Sequence, residues 1–232
     1  MIKFRCSSLH SLMTEPRSKS QELSETTKTF LNTLAIELET GRRKNIETAC
    51  MKKGTQSEAE GITMFCEHFG VAFPYETDKE KKKYENKYIT GTPDYVPWNK
   101  SYLERFGVID IKSSWDLYTF PSSPFFEIPP AYYWQMQGYM ELTGVNKATL
   151  AYVLVNTPQQ ILDWEIKKLS YILLDATIEE IEEKVKFNHT FDDLPIKRRI
   201  KTFEILKNEE DIEKIYKKVE TARDFLKKNY NI

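Results

Sequence analysis

An acid and a base stand two residues apart, Asp110 and Lys112, where the apolar run Val108-Ile109-Asp110-Ile111-Lys112 reaches its end. A second acid, Asp94, closes the turn sequence Gly91-Thr92-Pro93-Asp94 upstream. Side chains alternate along a strand, so Asp110 and Lys112 share one face and Ile109 and Ile111 the other. Two carboxylates and a lysine converging at a strand end suit metal-assisted cleavage of a phosphodiester. That reaction needs an activated water, stabilisation of a strongly charged transition state and neutralisation of the leaving oxygen, all of which a divalent cation supplies. Mg²⁺ takes hard oxygen ligands and keeps several waters, so Asp94, Asp110 and Glu58 with the Ile111 backbone carbonyl make an adequate donor set. Lys112 then lies beside the attacking water or the scissile phosphate. His10, His68 and His189 lack zinc-ligand spacing.

The surrounding pattern predicts what holds these residues. A short helix capped by Ser7 and Ser8 runs to about Met13, and a second covers about 24–39, with Gly41 as its stop. A third, over about 56–69, has Ile62, Phe65 and Phe69 on a stripe that continues back to Glu58. Glu58 has two readings: a carboxylate on a buried face that needs a cation, or a first-turn acid favoured by the helix dipole. Strands are predicted at 71–76, 89–91, 95–98, 106–112, 148–155 and 161–167, with a loop or hairpin connection over 78–87 and a turn at 99–101. Residues 113–130 read as a long loop. A helix over 131–142 sets Gln135 and Tyr139 on one face and ends at Gly144. Two amphipathic helices, 175–186 and 209–229, form the tail. Helices, strands, helix, strands and helices in that order give an α/β fold with a mixed sheet.

Composition narrows the class. No linker-like stretch divides the 232 residues, so one domain spanning 1–232 is expected, with N-terminal helices over about 1–55, a catalytic core over about 56–168 and a helical tail over about 169–232. Cys6, Cys50 and Cys66 are too scattered for a disulfide framework or a metal cluster. No run approaches membrane-spanning length and no signal peptide is evident, which points to the cytoplasm and away from any membrane. The net charge of -1 is no footprint of nucleic-acid binding. Basic clusters at 42–44, 52–53, 81–83 and 197–199 read first as solvated faces.

Taken singly, each motif has an ordinary structural explanation: a turn, an edge strand, a surface amide. Their order is more specific. Glu58, then Gly91-Thr92-Pro93-Asp94, then Asp110-Ile111-Lys112, then Gln135-Met136-Gln137-Gly138-Tyr139 resembles the PD-(D/E)xK nuclease superfamily, and within it lambda exonuclease and related phage recombination nucleases. Lys53-Gly54-Thr55-Gln56-Ser57-Glu58 is similar to that family's segment delivering the helix glutamate, and 7–17 to its opening helix and loop. The likeness covers about residues 5–167. It implies a restriction-endonuclease-like core, with a central mixed sheet flanked by helices, and a deoxyribonuclease dependent on Mg²⁺ or Mn²⁺ that digests double-stranded DNA ends 5′ to 3′, leaving 3′ overhangs. It implies metal ligands at Asp94, Asp110 and the Ile111 carbonyl, a catalytic Lys112 and an assisting Glu58. It also implies a 5′-phosphate pocket at Ser7, Thr92 and Gln135, where Arg5 is the nearest stand-in for the family's arginine. A ring-shaped trimer, a single-strand annealing partner and a bacterial host's cytoplasm complete the expectation. The rivals are an endonuclease of the same superfamily, a non-catalytic DNA-binding module on this fold, and a CRISPR adaptation nuclease, disfavoured by three scattered cysteines.

Overall fold

The computed structural model describes residues 1–18, 20–44, 47–71 and 82–232. Residues 72–76 of the strand expected over 71–76 and residues 78–81 of the 78–87 connection lie outside these, Lys81 of the basic cluster among them. In chain order the elements are β1 (Phe4–Arg5), α1 (Leu9–Leu12), α2 (Glu25–Thr40), α3 (Ala49–Gln56), α4 (Glu58–Phe69), β2 (Tyr84–Glu85), β3 (Ile89–Gly91) and α5 (Lys100–Phe106). Then follow β4 (Val108–Ser113), α6 (Pro130–Thr143), β5 (Lys147–Val153), α7 (Gln159–Ile172), α8 (Ile178–His189), β6 (Ile200–Leu206) and α9 (Glu209–Tyr230). The arrangement is mixed α/β, as the element order predicted. Among the described residues its strands fall into two three-stranded mixed sheets, one ordered β1-β3-β2 and the other β4-β5-β6.

In the second sheet β4 runs parallel to β5, with Asp110 opposite Leu150, and β6 runs antiparallel to β5. The period-two alternation sorts its side chains into two cores. Val108, Leu150 and Tyr152 pack with Met136 and Met140 of α6, Leu9 and Leu12 of α1, and Ile215 and Val219 of α9. Ile109, Ile111, Ala151 and Val153 face the other way, onto Ile62, Met64 and Phe65 of α4. Asp110 and Lys112 therefore belong to the α6 side, as the alternation predicted. Close approach of α6 needs Gly138, where an added Cβ would lie 2.7 Å from the Cys6 sulfur.

Several expectations need correction. Residues 161–167 are not a strand but part of α7. Their apparent alternation conceals a helical stripe in which Ile161, Leu162, Ile166, Leu169 and Leu173 are buried or half-buried, the last four against Ile181 and Val185 of α8. Pro158, with φ -55, starts that helix. The turn expected at 99–101 is the cap of α5: Asn99 accepts from the Ser101 amide, and turns and caps use this same hydrogen bond. Of 95–98 only Tyr95 pairs, in an isolated bridge to Ile109, and the strand expected from 106 begins at Val108 because Phe106 ends α5. The helix α3 was not anticipated; Thr48 caps it. The tail is not wholly helical, since β6 supplies the third strand of the main sheet. The α2 and α6 boundaries follow the sequence reading, with Gly41 and Gly144 left-handed at their ends.

Candidate active site

The catalytic-looking side chains meet where β4 passes under α6. The Asp110 side chain is almost wholly buried, and its carboxylate lies 2.6 Å from the Lys112 amine. Gln135 of α6 spans the pair: Lys112 Nζ lies 3.4 Å from its Oε1, and its Nε2 lies 3.4 Å from Asp110 Oδ1. The Lys112 amine also stands 4.9 Å from the centre of the Tyr132 ring. Burial alone would push this amine down, but Asp110 first and Asp94 next outweigh it and hold it above the ordinary lysine value. Lys112 is thus a fixed cation at neutral pH.

Asp94 reaches the same strand from the turn after β3, its Oδ2 accepting the Ile111 amide at 2.7 Å. This bond locks the turn to β4 at the residue that follows Asp110. The donor set suits a hard cation: one buried carboxylate, a second carboxylate tied to the neighbouring peptide, and an adjacent lysine that offsets their charge. Among the described residues no three His, Cys, Asp or Glu side chains close into a metal-holding group. Glu58, half-buried at the first residue of α4, therefore does not join the two aspartates in one such group.

A cavity of about 330 Å³ opens on the α6 side, lined by Arg5, Ser7, Lys83, Thr90, Thr92 and Tyr139, among others. Three of the four residues expected at a terminal phosphate, Arg5, Ser7 and Thr92, are brought together here from segments far apart in sequence. Gln135 does not line the cavity. It reaches it through Tyr139, whose hydroxyl accepts from Gln135 Nε2 at 2.9 Å and donates to the Thr92 carbonyl at 3.2 Å. Burial, with Asp110 adding to it, holds the Tyr139 phenol far above its usual range, so it remains a donor. The amide and phenol thus connect the acidic pair to the cavity. The sequence reading missed Lys83 and Thr90; the alternation of Thr90 with buried Ile89 was the available signal for the latter.

Lys53 was misread as part of a solvated basic cluster. It is fully buried, donates to the Trp115 carbonyl at 3.0 Å and lies 5.0 Å from the Phe191 ring centre. Burial lowers its pKa from the ordinary 10.5 to about 8. The unfolded chain therefore binds the extra proton between these values, and stability should rise with pH through this window, by roughly 3 kcal/mol from this group. In denaturant titrations at pH 7.5 and pH 10, Lys53→Met should lose that rise relative to the wild type. An identical pH response in the two proteins would contradict the assignment.

Comparison with known proteins places the fold. No protein-family model matches the chain, and no curated protein matches it. Among solved structures it is similar to a phage-related exonuclease from Haemophilus somnus 129PT, with TM-score 0.74 and 29% identity over 97% of this chain and 93% of that one. The chain has the fold of the lambda exonuclease family. The alkaline exonuclease LHK-Exo from Laribacter hongkongensis shares this lambda-exonuclease-like fold at TM-score 0.63 and 16% identity, covering 99% of this chain and 90% of its own. LHK-Exo in complex with dAMP matches at TM-score 0.62. Among the described residues no helix is long and apolar enough to cross a membrane.

Proposed function

We propose that the protein is a Mg²⁺- or Mn²⁺-dependent deoxyribonuclease that degrades double-stranded DNA from its ends, 5′ to 3′, and leaves 3′ single-stranded overhangs. The observation that carries this is the arrangement of Asp110 and Lys112 on β4 with Asp94 bound to the Ile111 amide, joined through Gln135 and Tyr139 to a cavity lined by Arg5, Ser7, Lys83 and Thr92. The phage-related exonuclease neighbour, matched over nearly the whole of both chains, supports the same reading.

Asp94, Asp110 and the Ile111 carbonyl would hold the cation, which supplies charge neutralisation at the phosphate and an acidified water. Glu58 assists from the start of α4. Lys112, kept charged by Asp110, donates to the developing charge on the phosphate or orients the attacking water. Gln135 keeps the Lys112 amine and the Asp110 carboxylate in register. In the cavity, Ser7, Thr92 and Tyr139 bring hydroxyl groups and Arg5 and Lys83 bring charge, a combination suited to a terminal phosphate dianion. Lys83 is shared with Glu85 at 3.3 Å, so it can turn from carboxylate to phosphate. An annealing protein that coats the overhang and a ring-shaped homotrimer belong to the same proposal, as does a phage-infected or lysogenic bacterial cytoplasm.

The cavity makes the reading testable at the substrate end. Linear duplexes carrying 5′-phosphate should be digested at least roughly tenfold faster than the same duplexes with 5′-hydroxyl, the scale of one or two lost charge-assisted hydrogen bonds. Lys83→Ala should shrink the difference. Equal rates on the two ends would contradict a 5′-phosphate site in this cavity.

A further inference from the structure

A second, larger depression lies across β4 from the terminal-phosphate cavity. It encloses about 800 Å³ between α3 and α7, and its walls include Trp115, Trp164, Lys52, Lys168 and Gln56. Nothing in the hydrolytic arrangement uses it. Its place relative to the chemistry follows from strand parity. Ser113 shares the Ile109 and Ile111 face, and its hydroxyl lies 3.2 Å from that of Ser57 at the end of α3. Asp110 and Lys112 point the opposite way, toward α6 and the cavity of Arg5 and Ser7. The chain leaving Lys112 thus enters the depression within three residues, at Trp115.

The two indoles are held differently. Trp115 is half-buried and braced: the His189 ring packs edge-on at 4.5 Å between centres, the Lys53 amine lies 6.0 Å from the indole centre, and Lys53 also grips the Trp115 carbonyl. Trp164, on α7, is 54% exposed, with the Lys168 amine 5.4 Å from its ring centre. An exposed indole opposite a braced one, with lysines beside them, suits stacked bases and their phosphates. The lysines are balanced by carboxylates, Lys52 by Glu47 at 3.4 Å and Lys168 by Glu165 at 3.1 Å. Stacking, rather than net charge, must therefore carry the affinity.

We propose that this groove binds single-stranded DNA, and that its occupant during digestion is the strand left unpaired as its complement is hydrolysed. The inference rests on the nuclease reading for which strand arrives. Binding itself does not depend on it. With the cut strand's end on the α6 side of β4, the groove on the other side gives the uncut strand a separate path, which keeps it from re-pairing in front of Lys112.

The test is fluorescence anisotropy of a labelled oligo-dT with a 5′-hydroxyl end, titrated with the full-length protein in chelator so that nothing is cut. Trp164→Ala should weaken binding by roughly tenfold or more, the scale of one lost base stack, and Trp164→Phe should retain most of it. Two phosphates paired with Lys52 and Lys168 predict only about a sevenfold loss of affinity when salt is raised about fourfold. Binding by Trp164→Ala equal to wild type, with its melting temperature unchanged, would overturn the proposal, and so would a loss of roughly a hundredfold over the same salt change. Wild-type digestion of linear duplex is scored in parallel. An inactive wild type with Trp164-dependent binding would remove the nuclease reading and leave the groove, whereas activity with Trp164-independent binding would remove the groove alone.

Discussion

Lys112→Ala should abolish DNA hydrolysis, lowering the rate on linear duplex by roughly a thousandfold or more while the protein stays folded. Loss of a preorganised group that stabilises transition-state charge commonly costs a hundred- to a thousandfold. Here the same substitution also removes the cation that offsets Asp110, which is 2% exposed. An uncompensated buried charge costs about 3–5 kcal/mol. Asp110 can avoid part of that cost by taking up a proton, which would spoil it for the proposed role of metal ligand. Two losses thus compound at one site. Circular dichroism and a thermal melt separate an inactive fold from an unfolded one, and a folded Lys112→Ala protein with more than about a tenth of wild-type activity would contradict the role given to Lys112.

Gly107→Ala should be the most damaging small change to the fold. Gly107 joins α5 to β4 with φ 65 and ψ -146, a conformation that side chains other than glycine's scarcely adopt. An added Cβ would lie 1.8 Å from the Lys147 carbonyl oxygen, which is backbone at the start of β5 and cannot swing aside. Backbone strain of about 1–3 kcal/mol plus the displaced strand start gives an expected loss of roughly 4 kcal/mol. For a chain of this size that corresponds to a fall in melting temperature of about 10 °C. The effect should reach activity too, because the Val108–Ala148 register set at this point determines where Asp110 and Lys112 stand. A melt within about 2 °C of wild type would show that β4 and β5 can separate here without cost.

Much of this site is legible in sequence because its parts are local. Alternation along β4 fixes the face shared by Asp110 and Lys112, the α6 stripe fixes Gln135 and Tyr139, and Gly41 and Gly144 mark helix ends through their positive φ. What escaped depends on tertiary placement. Nothing near Lys53 in the chain reveals that Trp115 and Phe191 will enclose it, since both arrive from distant elements. The strand β6 lies among charged helices, and Ile200 stands out of phase with Phe203 and Ile205, so no period-two pattern stands out until β5 offers an edge. The helix α7 was hidden because Ile161 to Lys167 satisfies both periods, and only Leu169 and Leu173 decide between them. The cavity beside α6 is the clearest mixture: Arg5, Ser7 and Thr92 were found by resemblance, while Lys83, Thr90 and the route from Gln135 through Tyr139 to Thr92 emerge only from the packed fold.

Digestion of linear and covalently closed circular duplex by the wild-type protein, first with Mg²⁺ and then with excess chelator, tests the central claim most directly. Separate 5′ and 3′ end labels on the linear substrate report polarity. Release of the 5′ label ahead of the 3′ label, an intact circle and complete arrest in chelator are the predicted results. Cutting of the circle, earlier loss of the 3′ label or undiminished hydrolysis in chelator would contradict a metal-dependent 5′ to 3′ exonuclease centred on Asp94, Asp110 and Lys112.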